Sequence, residues 1–329
     1  MNVPAWVWLA CIGGLLVLLA IDLVIVDRKP HEVSIGEAAK WVVFYVGCAV
    51  VFGLGVWAFA GGEYAGQFVA GYITEYSLSV DNLFVFVIIM ARFAVPAIHQ
   101  HKVLLIGILL ALIMRGLFIA LGAAAISRFS WVFYVFGVFL IYTAWNLSRE
   151  GIGEDEEFRE NAVLRMARRV LPVTDDYRGA RSMLRENGRF MVTPMFIVMI
   201  AIGTTDLLFA VDSIPAIFGL TKEPFLVFTA NAFALMGLRQ LYFLVGGLLD
   251  RLVYLPIGLA IILGFIGVKL ILEALHENRL PFLNGGRGVP VPTVQIELSL
   301  AVIVGVLVVT TVFSLLKVRR DPEAARHPR

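Results

Sequence analysis

Nine stretches of about 20 predominantly apolar residues recur along this chain, at 5–26, 41–60, 66–91, 103–126, 131–148, 193–219, 225–247, 252–275 and 294–316. A helix rises about 1.5 Å per residue, so ~20 residues match the ~30 Å hydrocarbon core of a bilayer. Only helices and closed barrels satisfy their own backbone inside hydrocarbon. The spacing therefore predicts an all-α polytopic membrane protein with nine transmembrane helices. Composition points the same way: 60% of the 329 residues are hydrophobic and 16% charged, against about 25% charged in soluble domains. A net charge of only +2 provides no global basic field for nucleic acid. The first run, Ala5 to Val26, is too long for a signal h-region and has no basic n-region, so it is expected to remain as a helix. Cys11 and Cys48 lie inside apolar runs, where cysteine behaves as a small hydrophobe.

Between the fifth and sixth runs, Arg149 to Arg189 holds nine Arg and nine Asp or Glu, too many charges to cross a bilayer. It reads as a cytoplasmic loop, 149–192, lying as a solvated amphipathic segment against the membrane. Positive residues are retained on the cytoplasmic side. With the N-terminus outside, the inside segments hold 20 Lys and Arg and the outside segments four, Arg128, Lys222, Arg279 and Arg287. The expected topology is N-out, C-in, as a single membrane domain over 1–329. A C-terminal helix at 294–316 and a cytoplasmic tail at 317–329 complete it.

The third helix carries Thr74-Glu75-Tyr76-Ser77-Leu78-Ser79-Val80-Asp81-Asn82, and the sixth Thr205-Asp206-Leu207-Leu208-Phe209-Ala210-Val211-Asp212-Ser213-Ile214-Pro215. Thr matches Thr, acid matches acid, and Asp matches Asp six residues on. In the next helix of each half, Met114-Arg115-Gly116-Leu117-Phe118 matches Leu238-Arg239-Gln240-Leu241-Tyr242. These are two copies of one unit, repeat A at 66–148 and repeat B at 193–275. The topology makes them a 3+3 inverted repeat of helices 3–5 and 6–8, with helices 1, 2 and 9 peripheral. Inverted repeats are a transporter architecture whose site lies near the midplane, on helices that are often interrupted. Interruption is expected at Pro215, or at Ser77, Ser79 and Asn82.

Residues six apart on an intact helix sit about 120° and ~9 Å apart, so Glu75 and Asp81 cannot both face one small ion. Either the helix unwinds, or the site draws one carboxylate from each repeat. The second reading makes Asp81 and Asp212 the central pair, with Glu75 and Asp206 along the route. Asn82 and Asn231 are further oxygen donors, although a buried Asn also bridges helices. Arg115 and Arg239 are counter-ions that offset two of the four acids, and one divalent cation would offset the others. Exchange of metal for protons follows naturally. Carboxylate, amide and hydroxyl oxygens suit Mn²⁺, Mg²⁺ or Ca²⁺. Outside this set, Lys269 and Glu273, four apart, are expected to satisfy each other, and His99 and His101 to lie in a solvated loop.

At Ser77-Leu78-Ser79-Val80-Asp81-Asn82, Gln100-His101-Lys102-Val103-Leu104, Ala111-Leu112-Ile113-Met114-Arg115, Phe209 to Ala216 and Gly237 to Phe243, the chain resembles the TerC family of integral membrane proteins. That family is named for tellurium resistance and includes the Alx-type manganese exporters. The resemblance implies Mn²⁺ efflux across the bacterial inner membrane, with Glu75, Asp81, Asp206 and Asp212 as the ion path and Mn²⁺ as cargo. It implies neither an enzyme nor a prosthetic group. Some members carry a further Glu just before the second motif, where this chain has Gly203-Thr204. Two other readings of the residues stand beside it. One is an intramembrane aspartyl-type enzyme, which the lack of a Gly-x-Gly-Asp motif disfavours; the other is a membrane scaffold whose acids hold helices together.

Overall fold

The computed structural model describes residues 3–27, 34–129, 131–149, 166, 169, 172–174, 177, 182–186, 189–245, 252–276, 284 and 287–320. Among them are nine helices: α1 (Ala5–Asp27), α2 (Ile35–Ala60), α3 (Gly62–Arg92), α4 (Ala97–Arg128), α5 (Val132–Arg149), α6 (Pro194–Phe218), α7 (Pro224–Val245), α8 (Leu255–His276) and α9 (Ile296–Arg320). Six of these, α2, α3, α4, α6, α8 and α9, are long and apolar enough to cross a membrane. Helix α2 begins before its apolar run because a polar residue starts it: Ser34 accepts a hydrogen bond from the Glu37 amide at 3.3 Å.

Helix α7 forms the centre. From Phe225 to Tyr242 every residue except Phe228 is buried, because α7 is enclosed by α2, α3 and α4. Its polar residues Thr229, Asn231, Arg239 and Gln240 are therefore interior as well. Around it α3 packs on α7, α4 on α6, and α5 on α8. Helices α1, α2 and α9 turn Trp6, Phe59 and Phe313 outward, as faces meeting lipid do. Gly61, at φ 98°, is the only residue between α2 and α3. That left-handed backbone favours glycine, and the corner folds α3 back so that Phe52 meets Phe68 with ring centroids 4.9 Å apart.

Helices α5 and α8 approach closely enough to require glycine on both sides. A β-carbon on Gly137 would lie 2.9 Å from the Gly267 carbonyl oxygen and 2.6 Å from the Ile271 side chain. One on Gly267 would lie 2.9 Å from the Gly137 carbonyl oxygen and 2.9 Å from the Ile141 side chain. The two contacts are reciprocal.

Four expectations change. The fold is not purely helical: β1 (Met183–Glu186) and β2 (Arg189–Val192) pair antiparallel with Met183 opposite Val192 and Glu186 opposite Arg189. The solvated segment expected across 149–192 is thus, in its described part, a hairpin packed on the bundle. Val192 joins the core with Met195 and Val103, Val173 bridges to Val192, and the Tyr177 hydroxyl donates to the Phe93 carbonyl at 2.7 Å. Burial pushes that phenol above its usual pKa. Second, neither motif helix is interrupted. Pro215 lies inside α6 within four residues of its end, where few backbone bonds remain to be lost, and Ser77 donates back to the Ile73 carbonyl at 2.7 Å within an intact α3. Third, Lys269 does not meet Glu273. Its Nζ donates to Ser299 Oγ on α9 at 3.1 Å, and Lys222 takes Glu273 at 2.8 Å. Fourth, His101 is buried in the first turns of α4, its ring stacked on Phe243 with centroids 6.2 Å apart.

Candidate functional site

One cluster of charged side chains is buried in the middle of the bundle. Glu75 comes from α3, Arg115 from α4, Asp206 and Ser213 from α6, and Asn231 from α7; none exposes more than 1% of its surface. The guanidinium of Arg115 forms a fork on Asp206, with Nε donating to Oδ2 at 2.8 Å and Nη2 to Oδ1 at 3.1 Å. Its Nη1 donates to a Glu75 carboxylate oxygen, to Asn231 Oδ1 at 2.8 Å and to Ser213 Oγ at 3.1 Å. Asn231 Nδ2 donates to the other Glu75 oxygen at 3.4 Å, and Ser79 Oγ donates to Glu75 at 3.4 Å. The planar, always charged guanidinium is the side chain suited to such bidentate capture.

Local sequence accounts for the convergence. Thr205-Asp206 and Ser213 lie seven residues apart on α6, which is close to two helical turns and puts Asp206 and Ser213 on one face. Glycines bring the helices close. A side chain at Gly203 would run into Leu110 of α4, and a β-carbon at Gly107 would lie 2.5 Å from Ile202. This tight α4 and α6 contact sets Arg115 against Asp206.

The acids that meet across the two halves are thus Glu75 and Asp206. The side chain of Asp81 lies outside the described residues, so the expected Asp81 and Asp212 pair cannot be placed beside them. Asp212 is partly exposed on α6, makes no hydrogen bond among the described residues, and lies within electrostatic reach of Arg115. Asn82 is buried on α3. Asn231 bridges Arg115 and Glu75. Arg239 is buried too, and with the Gln240 amide turned so that its oxygen faces the guanidinium, that oxygen accepts from Nη2 at 2.6 Å and from Nε at 3.3 Å. Ser213 and Ser79 were visible in the motifs as polar residues, but their contacts with the charged groups were not legible from spacing. Among the described residues no three His, Cys, Asp or Glu side chains cluster closely enough to hold a metal ion. The centre offers two carboxylates, an amide and hydroxyls, gathered on a cation supplied by the protein.

A second polar region, a cavity of about 590 Å³, opens where α3 and α9 begin and α8 ends, lined by Glu63, Gln67, Lys222, Glu223, Glu273 and Glu297 among others. Gln67 is fixed there, donating to Glu63 at 3.4 Å and accepting from Thr221 at 2.6 Å.

The profile of the Integral membrane protein TerC family matches residues 60–322, which contain both acidic motifs and all five residues of the buried cluster. The chain belongs to the TerC family. Among its TerC-like relatives, an uncharacterized membrane protein of Mycobacterium tuberculosis is 48% identical over 324 residues, covering 97% of this chain and 81% of the relative. An uncharacterized membrane protein of Myxococcus xanthus is 42% identical, covering 96% and 93%. The Escherichia coli protein named putative membrane-bound redox modulator Alx is 35% identical, covering 91% and 90%. No solved structure matches this TerC chain.

Proposed function

We propose that this protein is a secondary transporter of the bacterial inner membrane that exports a divalent cation, foremost Mn²⁺, in exchange for protons, and is not an enzyme. The observation that carries this reading is the burial of Glu75 and Asp206, one from each half of the chain, on opposite sides of one guanidinium. Intramembrane acids are costly, and they are retained where they hold ions, protons or counter-ions. Oxygen donors alone surround the centre, which favours a hard cation.

The inverted-repeat reading draws support from the packing. Exchanging α3, α4 and α5 for α6, α7 and α8 carries the α3–α7 contact into the α6–α4 contact and returns the α5–α8 contact to itself. The reciprocal Gly137 and Gly267 contacts follow the same exchange. Nine spans with the N-terminus outside would put the hairpin and the Tyr177 contact at the cytoplasmic end. The acid-lined cavity then opens outward, where an exported cation leaves.

The name of the Escherichia coli relative speaks of redox modulation. In this chain Cys11 and Cys48 are free thiols on α1 and α2, apart from the charged centre. A transporter should lose nothing when both become serine, whereas a thiol-based redox activity would disappear.

Proteoliposome uptake of Mn²⁺, Ca²⁺ and Mg²⁺ under an imposed pH gradient tests the proposal. Wild type should carry Mn²⁺, and Glu75→Gln and Asp206→Asn should each abolish flux while the protein stays folded. Equal flux in wild type and both variants would refute it. Loss of folding in step with loss of flux would favour the scaffold reading.

A further inference from the structure

Arg115 holds together two carboxylates that the transport reading assigns to the cargo. It does so with all the geometry of a bound ligand: a fork on Asp206, a contact to Glu75, and further bonds to Asn231 and Ser213. Any cation entering between Glu75 and Asp206 must displace this guanidinium. The charges decide which cation can do so. With both carboxylates ionised, the centre holds two negative charges and one positive charge. A monovalent ion replacing Arg115 leaves that balance unchanged and forfeits every one of the guanidinium's hydrogen bonds. A divalent ion neutralises both carboxylates, and in a low-dielectric interior that gain is large.

The displaced guanidinium also needs a destination. Asp212 lies six residues beyond Asp206 on α6, is partly exposed, and makes no hydrogen bond among the described residues. It is within electrostatic reach of Arg115, and its neighbour Ser213 already accepts from Arg115 Nη1 at 3.1 Å. From Asp206 to Asp212 the side chain swings about 120° round α6 and ~9 Å along it.

We propose that Arg115 sets the valence of the transported ion: its guanidinium occupies the seat between Glu75 and Asp206 in the empty carrier, yields only to a doubly charged cation, and then moves to Asp212. This rests on the transport reading and adds to it a selectivity residue that never touches the cargo.

The test measures Mn²⁺ binding to purified full-length protein by electron paramagnetic resonance, with K⁺ or bulky organic cations as the background salt. Wild-type affinity should be the same in both salts. Arg115→Gln should bind Mn²⁺ about tenfold or more tightly, because the competing charge is gone, and should become sensitive to K⁺. Asp212→Asn should weaken Mn²⁺ binding by about tenfold in either salt, since the displaced guanidinium loses its seat. Arg115→Lys keeps the charge but loses the fork, and should keep the K⁺ insensitivity while binding Mn²⁺ more tightly than wild type. That variant decides the matter if Arg115→Gln does not fold. Wild-type affinity and salt response in folded Arg115→Lys and Asp212→Asn would overturn the valence filter while leaving the transport reading intact. Wild type that neither binds nor carries Mn²⁺ would overturn both.

Discussion

Arg115 and Arg239 stand at matching places of two similar sequence motifs, and the partners described for them differ. Both are fully buried, in α4 and α7. Strict two-fold symmetry would give each arginine one motif acid: Asp206 to Arg115 and Glu75 to Arg239. Instead Arg115 takes both, and the Gln240 oxygen is among the partners of Arg239. The helix contacts match when the two halves are exchanged, and the gathering of Glu75 and Asp206 on Arg115 alone does not follow that exchange.

The sharpest way to break the comparison is to remove Arg115. Arg115→Ala leaves two buried carboxylates without their cation, and breaking a buried pair in this way costs about 3–5 kcal/mol. Thermal unfolding in detergent should show it as the largest loss among single changes at the centre. Adding Asp206→Asn to Arg115→Ala should restore part of the loss, because one orphaned charge disappears. Absence of any coupling between the two positions would mean that the fork does not form in the membrane.

The packing half of the comparison is tested at Gly137 and Gly267. Each faces the other's carbonyl oxygen at 2.9 Å from a built β-carbon, so alanine at either forces α5 and α8 apart, and overpacking of this kind costs about 1–3 kcal/mol. The losses should be equal within error in the single variants. A large inequality would show that the two halves do not share this contact symmetrically.

How far the chain could be read in advance follows the same division between backbone and charge. The apolar runs gave the helices because length and hydropathy are local properties; α6, expected at 193–219, is found as Pro194–Phe218. The paired motifs singled out Glu75, Asp206 and Arg115 because intramembrane charges are rare, but put Asp81 and Asp212 at the centre and Glu75 and Asp206 along the route. What spacing does not encode is which acid meets which arginine. That depends on how closely α4 and α6 approach at Gly107 and Gly203, a tertiary fact. The hairpin is different, since its signal was present. Asn187-Gly188 between Met183-Leu184-Arg185-Glu186 and Arg189-Phe190-Met191-Val192 is a strong local hairpin pattern, outweighed in the reading by the charge of the surrounding segment. The Lys269 and Glu273 pairing failed because helical spacing supplies a neighbour without excluding a better one. Ser299 of α9 lies nearer to hand, and Lys222 takes the glutamate.

The smallest effects are expected at Gln240, and they address the charges of repeat B alone. Gln240→Leu removes the oxygen that accepts from Arg239 Nη2 and Nε, a loss of about 1.5–3 kcal/mol for hydrogen bonds to a charged donor. Gln240→Glu keeps the shape and puts a carboxylate where the neutral Gln240 oxygen meets Arg239. Two terms then oppose each other. Desolvating a new carboxylate costs several kcal/mol, and attraction to a guanidinium already held at hydrogen-bonding distance returns a similar amount. Stability should therefore change by less than about 1 kcal/mol. If the Arg239 charge takes part in transport, Gln240→Glu should slow Mn²⁺ flux more than it alters melting, whereas Gln240→Leu should lower melting more than flux. The reverse pattern would show that Arg239 only holds helices together.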